Sequence, residues 1–410
     1  MLKFFNFVIS WAIILIPFTM AISPAPMNVF MGMLIVFFLL KKVLTKESIF
    51  PKTPINLQLL FFFLITCISL FNSIDLKDSM RGGVLRLLQY IFIYLILASE
   101  VKEKSQMKKI IYAITLGAFL ASLDAIWQVF SGHDFIRGYE PILNIGLVRA
   151  TASFKDSNTF GIYLSAIAPL VFGMTLYYFK GKKKLFFGLI SLVILVAILL
   201  TYSRPTILAI YIVFFFFAWV KKQKLFLYSL IILVLISPFI APKAVKNWAK
   251  EVNYNPLRFM CNDDRIAVYR NSLYMIKAHP LIGVGTNAFM NSYKKYKEFP
   301  EYRNVVTLDE MKAHNFYLHL AGEIGLIGLA IFFWLISGLF SFAKKIYRST
   351  DEHFLQIAVL SLVACLIAFL INGLTESSLS YSRVALIFWY LAGFLSSLGN
   401  IQDGDKKRFS

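Results

Sequence analysis

Charge is scarce in this sequence: Asp, Glu, Lys and Arg make up 16% of its 410 residues, against 58% hydrophobic. A single soluble domain of that composition would lack the polar surface to cover its core, which excludes a cytosolic enzyme. The same hydrophobicity excludes a disordered chain. Cysteine is scarce too, with three in all, and no disulfide framework can be built from them. Cys67 and Cys365 lie inside apolar runs, and Cys261 stands alone in a polar segment. There is no His-Glu-x-x-His, no Cys/His cluster at metal spacing and no phosphate-binding loop. Neither a metal, a cofactor nor ATP hydrolysis is therefore expected. Internal repeats and low-complexity tracts are also lacking. Acidic residues number 22 against 42 basic, a net charge of +20 that on a soluble protein would point to nucleic acid.

What the chain does have is apolar blocks near membrane-spanning length, such as Leu185–Leu200 and Ile324–Ala343. Spans are expected near 4–22, 27–43, 56–72, 82–99, 109–130, 157–179, 185–201, 205–220, 225–241, 315–343, 354–371 and 384–399. About twelve spans of ~20 residues use ~240 positions, close to what the hydrophobic fraction supplies. The links after every second span carry the lysines: Lys41 and Lys42, Lys108 and Lys109, Lys182–Lys184, Lys221 and Lys222, and Lys344 and Lys345. Positive charge marks cytoplasmic loops, so the charge reports topology and no nucleic-acid partner is expected. Both termini are expected in the cytoplasm. Residues 1–26 mimic a signal peptide, but a second apolar run follows at once, so they read as a retained first span. The expected fold is an all-α polytopic membrane protein divided into spans over 1–241, an outer loop over 242–314 and further spans over 315–410.

The outer face is the informative one. Roughly 70 residues separate the ninth and tenth spans, far more than an ordinary connection needs. Within them Ile266, Tyr269, Leu273 and Ile276 share a helical stripe, with Asn262, Asp263 and Asp264 at its start and Pro280 at its end. Arg81, Arg86, Asp124, Lys155, Arg204, His314, Glu323 and Arg383 map to the outer ends of their helices. Charge there needs a reason, and a net basic outer cavity suits an anionic lipid headgroup such as a diphosphate.

Three residues stand out. Arg204 lies in a link too short to leave the membrane surface, just before Pro205; it is either a bidentate phosphate ligand or a snorkelling interfacial arginine. Arg265 starts the loop helix, where a plain salt bridge to Asp263 or Asp264 is the simpler reading. His314 opens the tenth span as Ala313-His314-Asn315, either as an interfacial structural residue or as a general base toward a hydroxyl. His319 and Glu323, four apart, read as a structural pair.

Arg204-Pro-Thr-Ile-Leu208 is an Arg-x-x-x-Leu, and His314-Asn315 precedes Gly325-Leu-Ile-Gly328 by nine residues. Together with Arg265 and His279-Pro-Leu-Ile-Gly-Val-Gly-Thr-Asn-Ala-Phe289, this ordered set resembles the O-antigen ligase family of the O-antigen ligase/polymerase superfamily. Thr151-Ala-Ser-Phe-Lys-Asp-Ser-Asn158 also resembles a family stretch. The resemblance implies a metal-independent, inverting glycosyltransferase of the Gram-negative inner membrane, with its active site facing the periplasm. It would move a preassembled glycan from undecaprenyl diphosphate to a sugar hydroxyl of lipid A–core oligosaccharide. On this resemblance His314 is the base, Arg204 and Arg265 bind the diphosphate, and Arg149, Lys155, Asn158 and Asn315 are supporting polar contacts. Leu329-Ala330 follow the last glycine where the ligase motif usually has small hydroxylated residues, which keeps the O-antigen polymerase open as an alternative. A transporter or flippase is the rival of a different class, but its usual repeats and midplane charges are missing here.

Overall fold

The computed structural model describes residues 1–144, 146–261, 263–297 and 311–409, and almost all regular structure in them is helical. Long apolar runs become helices because lipid offers backbone amides no partner, so each run must satisfy its own hydrogen bonds. The helices are α1 (Leu2–Ile22), α2 (Pro24–Thr45), α3 (Asn56–Asn72), α4 (Leu76–Glu100), α5 (Lys104–Ser131), α6 (Ser157–Tyr178), α7 (Gly181–Leu200), α8 (Arg204–Val220) and α9 (Lys224–Ile240). Four shorter helices follow, α10 (Lys243–Glu251), α11 (Pro256–Met260), α12 (Asp263–Ala278) and α13 (Phe289–Tyr293). The chain closes with α14 (Phe316–Ser349), α15 (His353–Asn372) and α16 (Ser382–Phe409). Each of the twelve expected segments falls on a helix. Among the described residues, nine helices are long and apolar enough to cross a membrane. The other three, α3, α8 and α9, are apolar but short, and α9 joins α10 at a bend of 87°.

Hydrogen bonds sort the links onto two ends of the bundle. At one end Lys41 pairs with Glu100 at 2.6 Å, Lys104 with Glu352 at 2.6 Å, and His353 Nε2 with the Tyr177 carbonyl at 2.8 Å. At the other, Ser153 Oγ donates to the Ala21 carbonyl, Arg149 to Thr201 and Arg265 to Thr375. The second end also carries the long segment between α9 and α14. The buried centre is formed by α6, α15 and α16, with Trp389, Tyr390 and Tyr163 among its largest fully buried side chains. Periphery suits α9, where only Leu230 is buried and Leu235 and Phe239 face outward.

Three local features depart from the expected pattern. Strand β1 (Ile142–Asn144) pairs antiparallel with β2 (Leu147–Arg149), the one sheet among the described residues. The buried face of α12 follows the expected stripe only in part: Ile276 is buried and Ile266 and Tyr269 are half-buried, but Leu273 is exposed, and Val268, Asn271, Ser272 and Met275 are buried beside them. Polar Asn271 can sit inside because its Nδ2 donates to Tyr293 Oη at 2.8 Å. The expected cap Asn262 lies outside the described residues. Finally, α14 is broken at Ile324 and Gly325, which have non-helical backbone angles.

That break explains the glycines of both motifs. Gly325 has φ +74°, and a Cβ there would sit 2.0 Å from the Leu281 carbonyl oxygen. Gly283, at φ +69°, would place a Cβ 2.4 Å from Glu323 backbone atoms. Stripped of side chains, the two backbones bond directly: Val284 N to Gly322 O at 2.9 Å, Gly285 N to Glu323 O at 3.0 Å and Leu326 N to Pro280 O at 2.8 Å. Behind this seam Val268, Met275, Val284, Phe289 and Tyr293 form a small apolar core of their own. The segment after α9 is thus clamped to the first turns of α14.

Candidate functional site

A cavity of about 160 Å³ opens at the loop-bearing end, lined by Asn144, Arg149, Asn158, Tyr202, Arg204, Pro205, Met260 and Arg265. Each guanidinium arrives on a different element. Arg204 is the first residue of α8, after the tight link in which Tyr202 takes φ +46° and Ser203 N bonds Thr201 Oγ1 at 3.1 Å. Below it Thr206 Oγ1 bonds Asn372 Oδ1 at 3.2 Å, tying α8 to α15. The Arg204 head lies against Trp248 of α10 and Phe259 of α11, and donates to the Phe259 carbonyl. Arg149, on β2, donates from Nε to Thr201 O at 2.8 Å and from Nη2 to Asn158 Oδ1 at 2.7 Å. Burial lowers the Arg149 pKa, with Asp156 and Glu376 opposing the shift.

Arg265 reaches across the site to the link between α15 and α16. Its Nη2 meets Glu376 Oε1 at 2.5 Å and its Nη1 the Thr375 carbonyl at 2.9 Å. Glu376 is almost fully buried, its side chain 1% exposed. The same Oε1 accepts from Asn158 Nδ2 at 2.9 Å, while Oε2 faces His314 Nδ1 at 3.3 Å. Burial pushes the Glu376 carboxyl up, but the His314 hydrogen bond and the Arg265 charge outweigh it and hold it below the usual carboxylate range. Burial likewise works against the Arg265 charge, and Glu376 more than restores it. Among the described residues the three guanidinium groups thus meet the carboxylate of Glu376 and, near Arg149, that of Asp156, leaving the cavity net positive. Lys312, its Nζ 3.7 Å from the centre of the Tyr381 ring, adds a further cation whose pKa burial lowers.

His314 sits at the far edge of this cluster, 27% exposed at the side chain. It takes the left-handed φ of +46°, which an L-residue holds only when its surroundings impose it. The surroundings are explicit. Tyr269 Oη donates to His314 O at 3.0 Å, Phe316 N to Gly373 O at 2.7 Å, and Asn315 Nδ2 to Leu374 O at 2.9 Å. Asn315 Oδ1 also caps α14 by accepting from Leu318 N at 3.0 Å. With Nδ1 toward a carboxylate, His314 Nε2 is left as the ring nitrogen able to take a proton.

Of the residues named from sequence, Arg204, Arg265, Arg149, Asn158, His314 and Asn315 come together here. Lys155 does not: it is exposed and makes no hydrogen bond or ion pair among the described residues. Arg265 pairs with Glu376, 111 residues away in the chain; the side chain of Asp263, one of the two partners expected for it, lies outside the described residues. Arg383 and Asp124 are structural. Arg383 is buried, donates from Nη2 to Ser153 O at 2.9 Å and stacks on Phe154, and Asp124 Oδ1 accepts from Phe135 N at 2.7 Å. Arg81 and Arg86 are exposed. His319 does pair with Glu323, at 3.3 Å, and stacks on Phe289. The residue that sequence reasoning missed is Glu376. A signal was present, since it is the one acidic residue in the short outer link 372–383. Among the described residues no group of three or more His, Cys, Asp or Glu side chains is placed to hold a metal ion.

A family model described as O-Antigen ligase matches residues 189–333, a stretch that includes Arg204, Arg265, His314 and the glycine seam. Arg149, Asn158 and Glu376 lie outside it. An O-antigen polymerase of Salmonella muenchen is 23% identical over 360 residues, which span 82% of this chain and 85% of that protein. The ordered motifs, the meeting of Arg204, Arg265 and His314 around one site and these two matches support membership of the O-antigen ligase/polymerase superfamily.

Proposed function

We propose that this chain is a lipopolysaccharide glycosyltransferase, an O-antigen ligase. It moves a preassembled glycan from undecaprenyl diphosphate to a sugar hydroxyl of lipid A–core at the periplasmic face of the Gram-negative inner membrane. The observation that carries this reading is Glu376, whose two carboxylate oxygens join the candidate base His314 to the arginine-lined cavity. Arg204 and Arg265, with Arg149 and Asn158 beside them, hold the donor diphosphate. The acceptor hydroxyl loses its proton to His314 Nε2 and attacks the anomeric carbon from the face opposite the leaving group. The bond from that carbon to the diphosphate oxygen breaks, and its electron pair leaves on undecaprenyl diphosphate. The arginines stabilise this developing charge, a role that needs no metal ion. Glu376 fixes the imidazole in the tautomer that leaves Nε2 free and stabilises the imidazolium that forms.

The depth of the site fits a lipid donor. Helix α8 has 17 residues and rises about 25 Å, short of a hydrocarbon core of about 30 Å. Arg204 at its first turn is therefore recessed toward the acyl chains, within reach of a diphosphate whose polyprenyl tail stays in the bilayer.

The polymerase is the second reading, favoured by the similarity to the O-antigen polymerase of Salmonella muenchen and by Leu329-Ala330 after the glycine motif. It uses the same machinery with a growing lipid-linked glycan as acceptor. In vitro transfer separates the two. Purified protein is given undecaprenyl-diphosphate-linked glycan and lipid A–core in EDTA, with His314→Ala in parallel. Glycan on lipid A–core with wild type alone supports the ligase, and longer lipid-linked glycan without transfer supports the polymerase. No product of either kind, with both substrates verified, rejects the reading.

A further inference from the structure

Helix α10 leaves α9 at 87° and runs Lys-Ala-Val-Lys-Asn-Trp-Ala-Lys-Glu. Its faces are cleanly divided. Ala244, Val245, Trp248 and Ala249 are half-buried, whereas Lys243, Lys246, Asn247, Lys250 and Glu251 are exposed. At 100° per residue the three lysines fall within an arc of about 60°. Among the described residues none of the three forms an ion pair, and Lys246 Nζ donates to the Phe239 carbonyl at the end of α9. A right-angle turn at the end of an apolar helix, an apolar underside with a tryptophan and a lysine ridge together describe a helix lying in the membrane interface.

The underside is joined to the catalytic cavity. Trp248 stacks its indole against the Arg204 guanidinium, 5.7 Å from its ring centre. We propose that α10 is a docking surface for anionic phospholipid headgroups of the outer leaflet, which hold the helix in plane and thereby keep Trp248 against Arg204. The ligand chemistry follows from the residues: three clustered ammonium groups at phosphate depth suit a phosphodiester with net negative charge, such as phosphatidylglycerol, over a zwitterion. The link to turnover rests on the transfer activity proposed above, whereas the lipid binding does not.

Native mass spectrometry of detergent-purified protein titrated with phosphatidylglycerol, phosphatidylcholine or inorganic phosphate tests the binding. Wild type should retain phosphatidylglycerol in preference to phosphatidylcholine, and K243Q/K246Q/K250Q should lose that preference. A basic residue near an anionic surface changes binding about fivefold, so the triple variant should lose on the order of 100-fold. K243R/K246R/K250R should retain binding, and an unchanged thermal melt of the glutamine variant excludes misfolding. Equal phosphatidylglycerol binding in wild type and the folded glutamine variant overturns the proposal. So does inorganic phosphate displacing the lipid at matched concentration, since that marks a soluble-anion site. In nanodiscs, wild-type transfer should rise severalfold when phosphatidylglycerol is added to phosphatidylcholine, and the glutamine variant should not respond. A response equal in both rejects the coupling to Arg204. Absence of transfer in every lipid counts against the proposed function and leaves the binding result standing.

Discussion

Replacing Glu376 by glutamine keeps the side chain's shape and removes the charge that Arg265 and His314 both face. Transfer is expected to fall about a hundredfold or more, because the imidazole loses the partner that selects its tautomer and supports its charged form. A changed pH–rate profile separates this from simple loosening, and retention of the wild-type profile would reject the orienting role. Glu376→Ala goes further, stranding Arg265 beside an empty site, and should cost about 3 kcal/mol or more of stability. The acid dependence has a definite sign. The Glu376 carboxyl lies below its ordinary value of 4.5, so its stabilisation is fully present above that pH and fades as pH falls through its lower folded value. Melting temperatures between pH 3 and 7 should therefore converge for wild type and Glu376→Gln at the acid end. Arg204→Lys keeps the charge but loses the planar fork that spans Phe259 O and the cavity. A loss of at least about tenfold in kcat/KM is expected, and unchanged kinetics would mean that a point charge suffices. Arg204 and His314 were legible from sequence because their neighbours, Pro205 and Asn315, fix their place at helix starts. The pairing of Glu376 was not, because no periodicity links it to a histidine 62 positions earlier.

At the scale of elements, the seam between Gly283–Gly285 and the break in α14 is the joint that sets His314. The first turns of α14 carry His314, Asn315 and His319, and the seam decides their angle to the remainder of the helix. Gly325→Ala combines a left-handed φ with contact against Leu281 O, and should cost at least about 2 kcal/mol. A thermal melt of the purified variant measures it; an unchanged melting temperature would mean that the seam is not under that constraint. Span-length apolarity identified the helices, and the break was hidden within it. Ile324–Ala343 alone is long enough to cross the hydrocarbon, so nothing in its hydropathy marks where the helix yields. The partial departure of α12 from its expected stripe has a similar origin. Periodicity counts apolar residues, but the buried face there includes Asn271 and Ser272, held inside by bonds from Asn271 Nδ2 to Tyr293 and from Ser272 Oγ to the Val268 carbonyl.

For the whole molecule, the division of links between two ends of the bundle matches the lysine pattern. Twelve crossings require α3, α8 and α9 to span as well, although α8 and α9 have only 17 residues each. Thinning of the bilayer beside them, or snorkelling of Lys221, Lys222 and Lys224, meets the shortfall at modest cost. Cysteine labelling with a membrane-impermeant maleimide tests the arrangement in cells with a permeabilised outer membrane. Tyr254→Cys, at an exposed position, should label, and Lys183→Cys should label only after the inner membrane is opened. The opposite pattern would invert the orientation and remove the site from the periplasm.

Sequence alone determined the class of the molecule, the positions of its helices and the end on which its polar chemistry gathers. These follow from properties read one segment at a time: apolar length, lysine in alternate links, and proline, asparagine or glycine at helix ends. Only the tertiary structure decided the partners. Arg149 from β2, Arg204 from α8, Arg265 from α12, Glu376 from the link after α15 and His314 from the start of α14 meet through packing of distant segments. Such contacts depend on which helix faces which, and on where a helix breaks so that a glycine backbone can pass beside it. No local pattern carries that information, because Arg265 and His314 meet their shared carboxylate, Glu376, across 111 and 62 residues of chain.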